Sequence, residues 1–103
     1  MSYENPDPLE REQAQEDAKR QQAIAQREAE EDLKFVMSSK QGRRFMHRTL
    51  ASAGIWKTTF NTNAMQMAFG EGKRNQGLML LSQVMKACPE RYSQMLKEQS
   101  NDE

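Results

Sequence analysis

The feature that most limits this chain is its first third. Between Asp7 and Asp32 the only large apolar residues are Leu9 and Ile24, and nearly everything else is Glu, Gln, Ala, Lys or Arg. Those residue types favour helix. Asp7-Pro8-Leu9-Glu10 supplies the start, with Asp7 as the cap, Pro8 in the first turn and Glu10 placed for a capping box. Glu16 precedes Arg20 by four positions and Glu30 precedes Lys34 by four, the favourable order for helical ion pairs. A helix with two large apolar residues has no face wide enough to build a core. The segment therefore predicts a long, polar, solvent-exposed helix, or an arm that docks on another chain.

Apolar density begins at Leu33, and Leu33, Phe35, Val36 and Met37 form a short cluster. Ser38-Ser39-Lys40-Gln41 is a second helix start, and Gly54 is the expected stop after Ala53. Within that helix Phe45, Met46, Thr49, Leu50 and Ala53 form the expected apolar face. Lys40, Arg43, Arg44, His47 and Arg48 form the opposite, basic one. Ile55 to Asn61 reads as a connector in which Trp56 and Phe60 cover the open end of the core. A third helix starts at Asn63-Ala64-Met65-Gln66 and keeps a spacing of three to four through Met65, Phe69, Gly72, Gly77, Leu80, Leu81, Val84 and Cys88. Gly70, Gly72 and Gly77 either break this helix or admit a neighbouring backbone. Pro89 ends it and restarts a last short helix to about Glu98, which presents Tyr92, Met95 and Leu96. No run alternates with period two, so no strand is expected.

The expected fold is all-α: a small helical bundle preceded by the long polar helix. The chain divides into residues 1–32, a polar acidic helix or partly disordered arm; residues 33–98, a small helical domain; and residues 99–103, a disordered tail. Charge follows the same division. Residues 1–32 carry ten acids against four bases, whereas residues 33–98 carry eleven bases against three acids, and the formal total is zero. Such polarity suits an acidic or nucleic-acid partner for the second part, or association between opposite ends of two chains.

Most site chemistries fail on residue count. Cys88 is the only cysteine and His47 the only histidine. No internal disulfide can form, a reducing compartment is expected, and four ligands for a structural zinc are not available. A Cys–His nucleophile pair is formally available, but Cys88 lies on an apolar face beside Leu81 and Val84 and His47 lies among cations. Gly70-Glu71-Gly72-Lys73 fails as a phosphate loop, because the glycine spacing is wrong, Arg74 stands where Ser or Thr is needed, and no strand precedes it. No cofactor, metal or small-molecule substrate is expected, and no enzyme. The polar N-terminus is no secretory signal, and the longest apolar run, Leu78–Leu81, is far short of a membrane span. These features predict a soluble binding protein.

The basic set of Lys40, Arg43, Arg44, His47 and Arg48, joined by Lys73 and Arg74 if the second and third helices pack antiparallel, is the candidate contact surface. Its readings are a solvated helix face, contact with an acidic protein surface, or contact with DNA or RNA. The zero net charge and the lack of aromatics among the bases weigh against a dedicated nucleic-acid binder. Seven internal methionines suit an irregular core or a partner surface. A core of about 65 residues is marginal alone, so part of its apolar surface is expected to face another subunit.

Three stretches carry a family resemblance: Gly42-Arg43-Arg44-Phe45; Gly54-Ile55-Trp56 leading to Phe60; and Gly70-Glu71-Gly72-Lys73-Arg74-Asn75-Gln76-Gly77-Leu78 followed by Leu80-Leu81, with Tyr92 and Met95 fitting near the end. Over roughly residues 33–96 the chain resembles a small domain family of tailed, chiefly short-tailed, bacteriophages, encoded among virion structural genes. The resemblance implies a virion component near the portal, the internal core or the tail, made in the host bacterial cytoplasm and partnered by other virion proteins in an oligomeric assembly. The alternative is a DNA-contacting packaging or ejection accessory; a third reading is a host-directed regulator left out of particles. No catalytic residue is implied. Gly54, Gly70, Gly72, Asn75 and Gly77 are expected to be structural, with Arg74 reaching a carbonyl or carboxylate of the second helix.

Overall fold

A computed structural model describes residues 7–58 and 62–101 as four helices: α1 (Pro8–Met37), α2 (Lys40–Ala53), α3 (Ala64–Ala87) and α4 (Pro89–Asn101). No strand occurs among the described residues. Residues 1–6, Phe60 and the last two residues, on which the expected disordered start, aromatic cover and tail partly fall, lie outside the described residues.

Local chemistry sets the helix limits. The Asp7 carboxylate accepts the Leu9 N–H at 3.2 Å, and Pro8 occupies the first turn. Ser39 Oγ accepts the Gly42 N–H at 2.9 Å, and Asn63 Oδ1 accepts the Gln66 N–H at 3.0 Å. Each satisfies one of the donors that a helix start leaves open. Gly54 ends α2 in the left-handed region at φ 78°, where a side chain would be strained. Cys88 separates α3 from α4 with its backbone outside the α region (φ −157°, ψ 70°), as the residue before a proline favours.

Two boundaries differ from those expected. The chain does not break at residue 32 or 33: α1 runs on to Met37 as one helix of 30 residues. What changes there is burial alone. Everything from Pro8 to Ala29 is exposed, Leu33 and Val36 are half-buried, and Met37 is buried. The last helix also passes Glu98 and ends at Asn101.

The bundle is small. Its buried apolar residues are Met37, Met46, Leu50, Ile55, Val84, Cys88 and Met95, one or two from each element. Leu33, Ala53, Leu78, Leu81 and Tyr92 pack around them. Helix α2 lies centrally and touches all three others. The radius of gyration is 19.9 Å and the longest extent 69 Å, against about 13 Å expected for the radius of a compact chain of this length. The excess is the exposed part of α1, which projects from the bundle.

Two glycines set helix approaches. At Gly42 a Cβ would collide with the Val36 carbonyl, so glycine is what allows the tight α1–α2 elbow. At Gly77 a Cβ would sit 2.6 Å from Ala53 Cβ and 2.6 Å from Ile55 Cγ2. Of the two expectations for the α3 glycines, close approach therefore holds at Gly77, and the helix is unbroken throughout.

Candidate interaction surface

The basic face of α2 is not one surface. Arg43 is only 5% exposed. Its Nε donates to Glu98 Oε1 at 2.9 Å, Nη2 to Glu98 Oε2 at 2.8 Å, and Nη1 to the Met37 carbonyl at 2.9 Å. One guanidinium thus joins the end of α1, the start of α2 and the end of α4. A planar fork meets a carboxylate in this way, while the third donor satisfies a carbonyl left open at a helix end. The hydrogen bonds from Arg43 hold the Glu98 carboxyl below its ordinary value of 4.5, with burial opposing. Glu98 in turn raises Arg43. Arg43 therefore leaves the candidate contact set. Sequence carried a signal: Arg43, Met46 and Leu50 share a spacing of three and four, so Arg43 stands on the buried side of α2.

Lys40, Arg44 and Arg48 remain exposed on successive turns. The Arg48 guanidinium lies over the Phe45 ring at 5.7 Å. Phe45, expected in the core, is exposed, as is Phe35 at 79%. With Val36 and Gln41 these rings line a shallow groove at the α1–α2 elbow. His47 is half-buried and stacks on the half-exposed Trp56, with centroids 4.9 Å apart and planes 27° apart. The connector's buried plug is Ile55.

Lys73 and Arg74 precede Gly77 by one turn, at the end of the molecule that holds Ala53 and Ile55; along α2, Arg48 lies about 8 Å and Lys40 about 20 Å from Ala53. The Lys73 ammonium sits 5.9 Å from the Phe69 ring centre. Arg74 is half-buried, and among the described residues no hydrogen bond joins it to α2; the arginine that makes that kind of contact is Arg43. Gly70 is half-buried, and Gly72 and Asn75 are exposed.

Elsewhere Lys86 reaches Glu30 at 3.6 Å, an exposed pair between α3 and α1. Burial, and behind it Glu90, pushes the Cys88 thiol up, against Lys34 and Arg91. That is the environment of a packed thiol, not of an activated nucleophile. Among the described residues no three His, Cys, Asp or Glu side chains gather to hold a metal ion, and no helix is long and apolar enough to cross a membrane.

The arrangement offers exposed aromatic and methionine side chains, three exposed cations on α2, and an exposed acidic helix. No curated protein and no solved structure matches the chain. The family model of Bbp19-like phage proteins matches residues 33–97, from the first half-buried leucine of α1 into the last turns of α4. That match spans more than half of the chain, and the protein belongs to the Bbp19-like phage protein family.

Proposed function

We propose that the protein is a non-enzymatic component of the phage particle or its assembly, which binds larger virion proteins of the portal, internal core or tail region through its bundle and its acidic helix. The observation that carries this reading is the projecting part of α1. From Pro8 to Ala29 it is exposed, and only its last turn, at Gln26 and Ala29, lies beside Gln83 and Lys86 of α3. In proteins most helical stability comes from packing one face of the helix, and the exposed part of α1 has no such packing within the bundle. Family membership supports the phage setting. The test is quantitative mass spectrometry of purified mature particles. A fixed copy number supports a virion component; absence from particles moves the protein to assembly or to the infected cell. A turnover that disappears on Cys88→Ala would refute the non-enzymatic reading.

A second reading is contact with DNA during packaging or ejection, favoured by Lys40, Arg44 and Arg48 on one exposed line of α2. With Arg43 engaged by Glu98, that line is short. A salt titration separates the two readings. Phosphate contacts make affinity fall with salt by a log–log slope of about 0.9 per contact on duplex DNA, and Arg44→Glu with Arg48→Glu would flatten it. No salt-dependent binding removes the DNA reading.

A further inference from the structure

The chain carries two surfaces of opposite charge that cannot meet within one molecule. The first is the outer side of α2, where Lys40, Arg44 and Arg48 are exposed and the whole helix contains no acid. Beside them the exposed rings of Phe35 and Phe45 line the groove at the elbow, with the Arg48 guanidinium over Phe45. Glu98 is held by Arg43 and Glu30 by Lys86. Among the described residues no ion pair reaches Arg44 or Arg48, not even from Glu31 and Asp32, one turn before Phe35 on α1. The second surface is the free end of α1, where residues 7–17 hold five acids against one base. Leu9, Glu12 and Glu16 are all exposed there. At 100° per residue they stand within about 60° of one another, so one apolar side chain and two carboxylates share a face. Because α1 is unbroken, Glu12 is held about 35 Å from Phe35, and the free end cannot fold back onto its own elbow.

We propose that the elbow of one copy receives the free end of α1 from a second copy. Leu9 enters beside the Phe35 and Phe45 rings, and Glu12 and Glu16 meet Arg44 and Arg48. The two charged lines have the same pitch. The carboxylates are four residues apart and so are the guanidiniums, about 6 Å along either helix. Arginine suits this contact, since its planar fork takes a carboxylate through two hydrogen bonds. Charge complementarity selects the occupant: an acidic helix end with one apolar side chain fits cations around two rings, and every copy brings one such end for every elbow. The two surfaces differ, so the contact either closes as a mutual exchange of arms between two copies or repeats head to tail. This self-association goes beyond the virion reading and does not rest on it.

Sedimentation equilibrium of the full chain tests it, at concentrations up to about 0.1 mM. Charges act over about 30 Å at about 0.01 M salt and over about 3 Å at about 1 M. The average mass should reach at least twice 11.9 kDa at the low salt and fall toward 11.9 kDa at the high one. Arg44→Glu with Arg48→Glu should return the mass to one copy at low salt, and so should Glu12→Lys with Glu16→Lys. The helical circular dichroism should not change, because all four side chains are exposed. An equimolar mixture of these two double variants should associate again, since each then meets an opposite charge on the other. A wild type that stays at one copy at low salt would overturn the proposal and leave the cations to a foreign acidic surface. So would an association that survives salt and both double variants, or a mixture that stays at one copy.

Discussion

Arg43 and Glu98 stand 55 positions apart in sequence and meet through two parallel hydrogen bonds of 2.9 and 2.8 Å. Glu98 is thereby held ionised below the ordinary 4.5 of a glutamate. The unfolded chain takes up that proton at higher pH than the folded one. The stability contributed is therefore complete above pH 4.5 and lost as pH falls through the folded value. Glu98→Gln should lower the urea midpoint at neutral pH, and the gap from wild type should narrow steadily below pH 4.5. A gap that stays constant with pH would mean that the carboxylate charge contributes nothing.

Arg43→Lys should also destabilise, although it keeps the charge. An ammonium has no planar fork, so it cannot hold both Glu98 oxygens and the Met37 carbonyl at once. Thermal unfolding followed by circular dichroism would show the lower midpoint, and Arg44→Lys on the exposed side would show none.

Gly77 and Gly72 lie five residues apart on α3 and should respond oppositely to alanine. At Gly77 the new methyl group meets Ala53 and Ile55 at 2.6 Å, which forces a shift and costs about 1–3 kcal/mol. At Gly72 the methyl group meets nothing, and helix propensity should give about 1 kcal/mol of added stability, measured by denaturant titration at high dilution.

Leu50 is fully buried in the last turn of α2, and Leu50→Ala should cost about 2–5 kcal/mol, a large share of what so small a core can supply. Denaturant midpoints at constant slope would check it. Partial melting without a cooperative transition would show that the bundle does not unfold as one unit.

Cys88 should be silent toward thiol reagents in the native protein. Burial excludes the reagent and raises the thiol above its ordinary 9.0. Labelling by an aromatic disulfide should therefore track unfolding and rise with urea along the same curve as the loss of helix.

The helix starts and the Gly54 stop were legible because they depend on neighbours in sequence, whereas α1 and α4 run past their expected ends to Met37 and Asn101. Asp7, Ser39, Gly54, Asn63 and Pro89 each act within a few residues, and each stands where its chemistry requires. The surface was less legible. Arg43 looks like one more base among Lys40, Arg44 and Arg48 until α4 brings Glu98 to it. Phe45 has helical spacing with the core residues, yet lies half exposed in the groove at the α1–α2 elbow beside Phe35 and Val36. Gly72 and Gly77 are equivalent in the sequence pattern. Only the path of α2 makes one a contact and leaves the other open.

The continuity of α1 has a mechanical consequence. A helix without a break between Pro8 and Met37 has no hinge, and its inner end is clamped by Met37 and by the Arg43 bond to the Met37 carbonyl. Its exposed part, from Pro8 to Ala29, acts as a lever of about 33 Å. A tilt of about 10° where α1 leaves the bundle sweeps the far end through roughly 6 Å, so a small repacking at the base becomes a displacement of more than one helical turn at the tip.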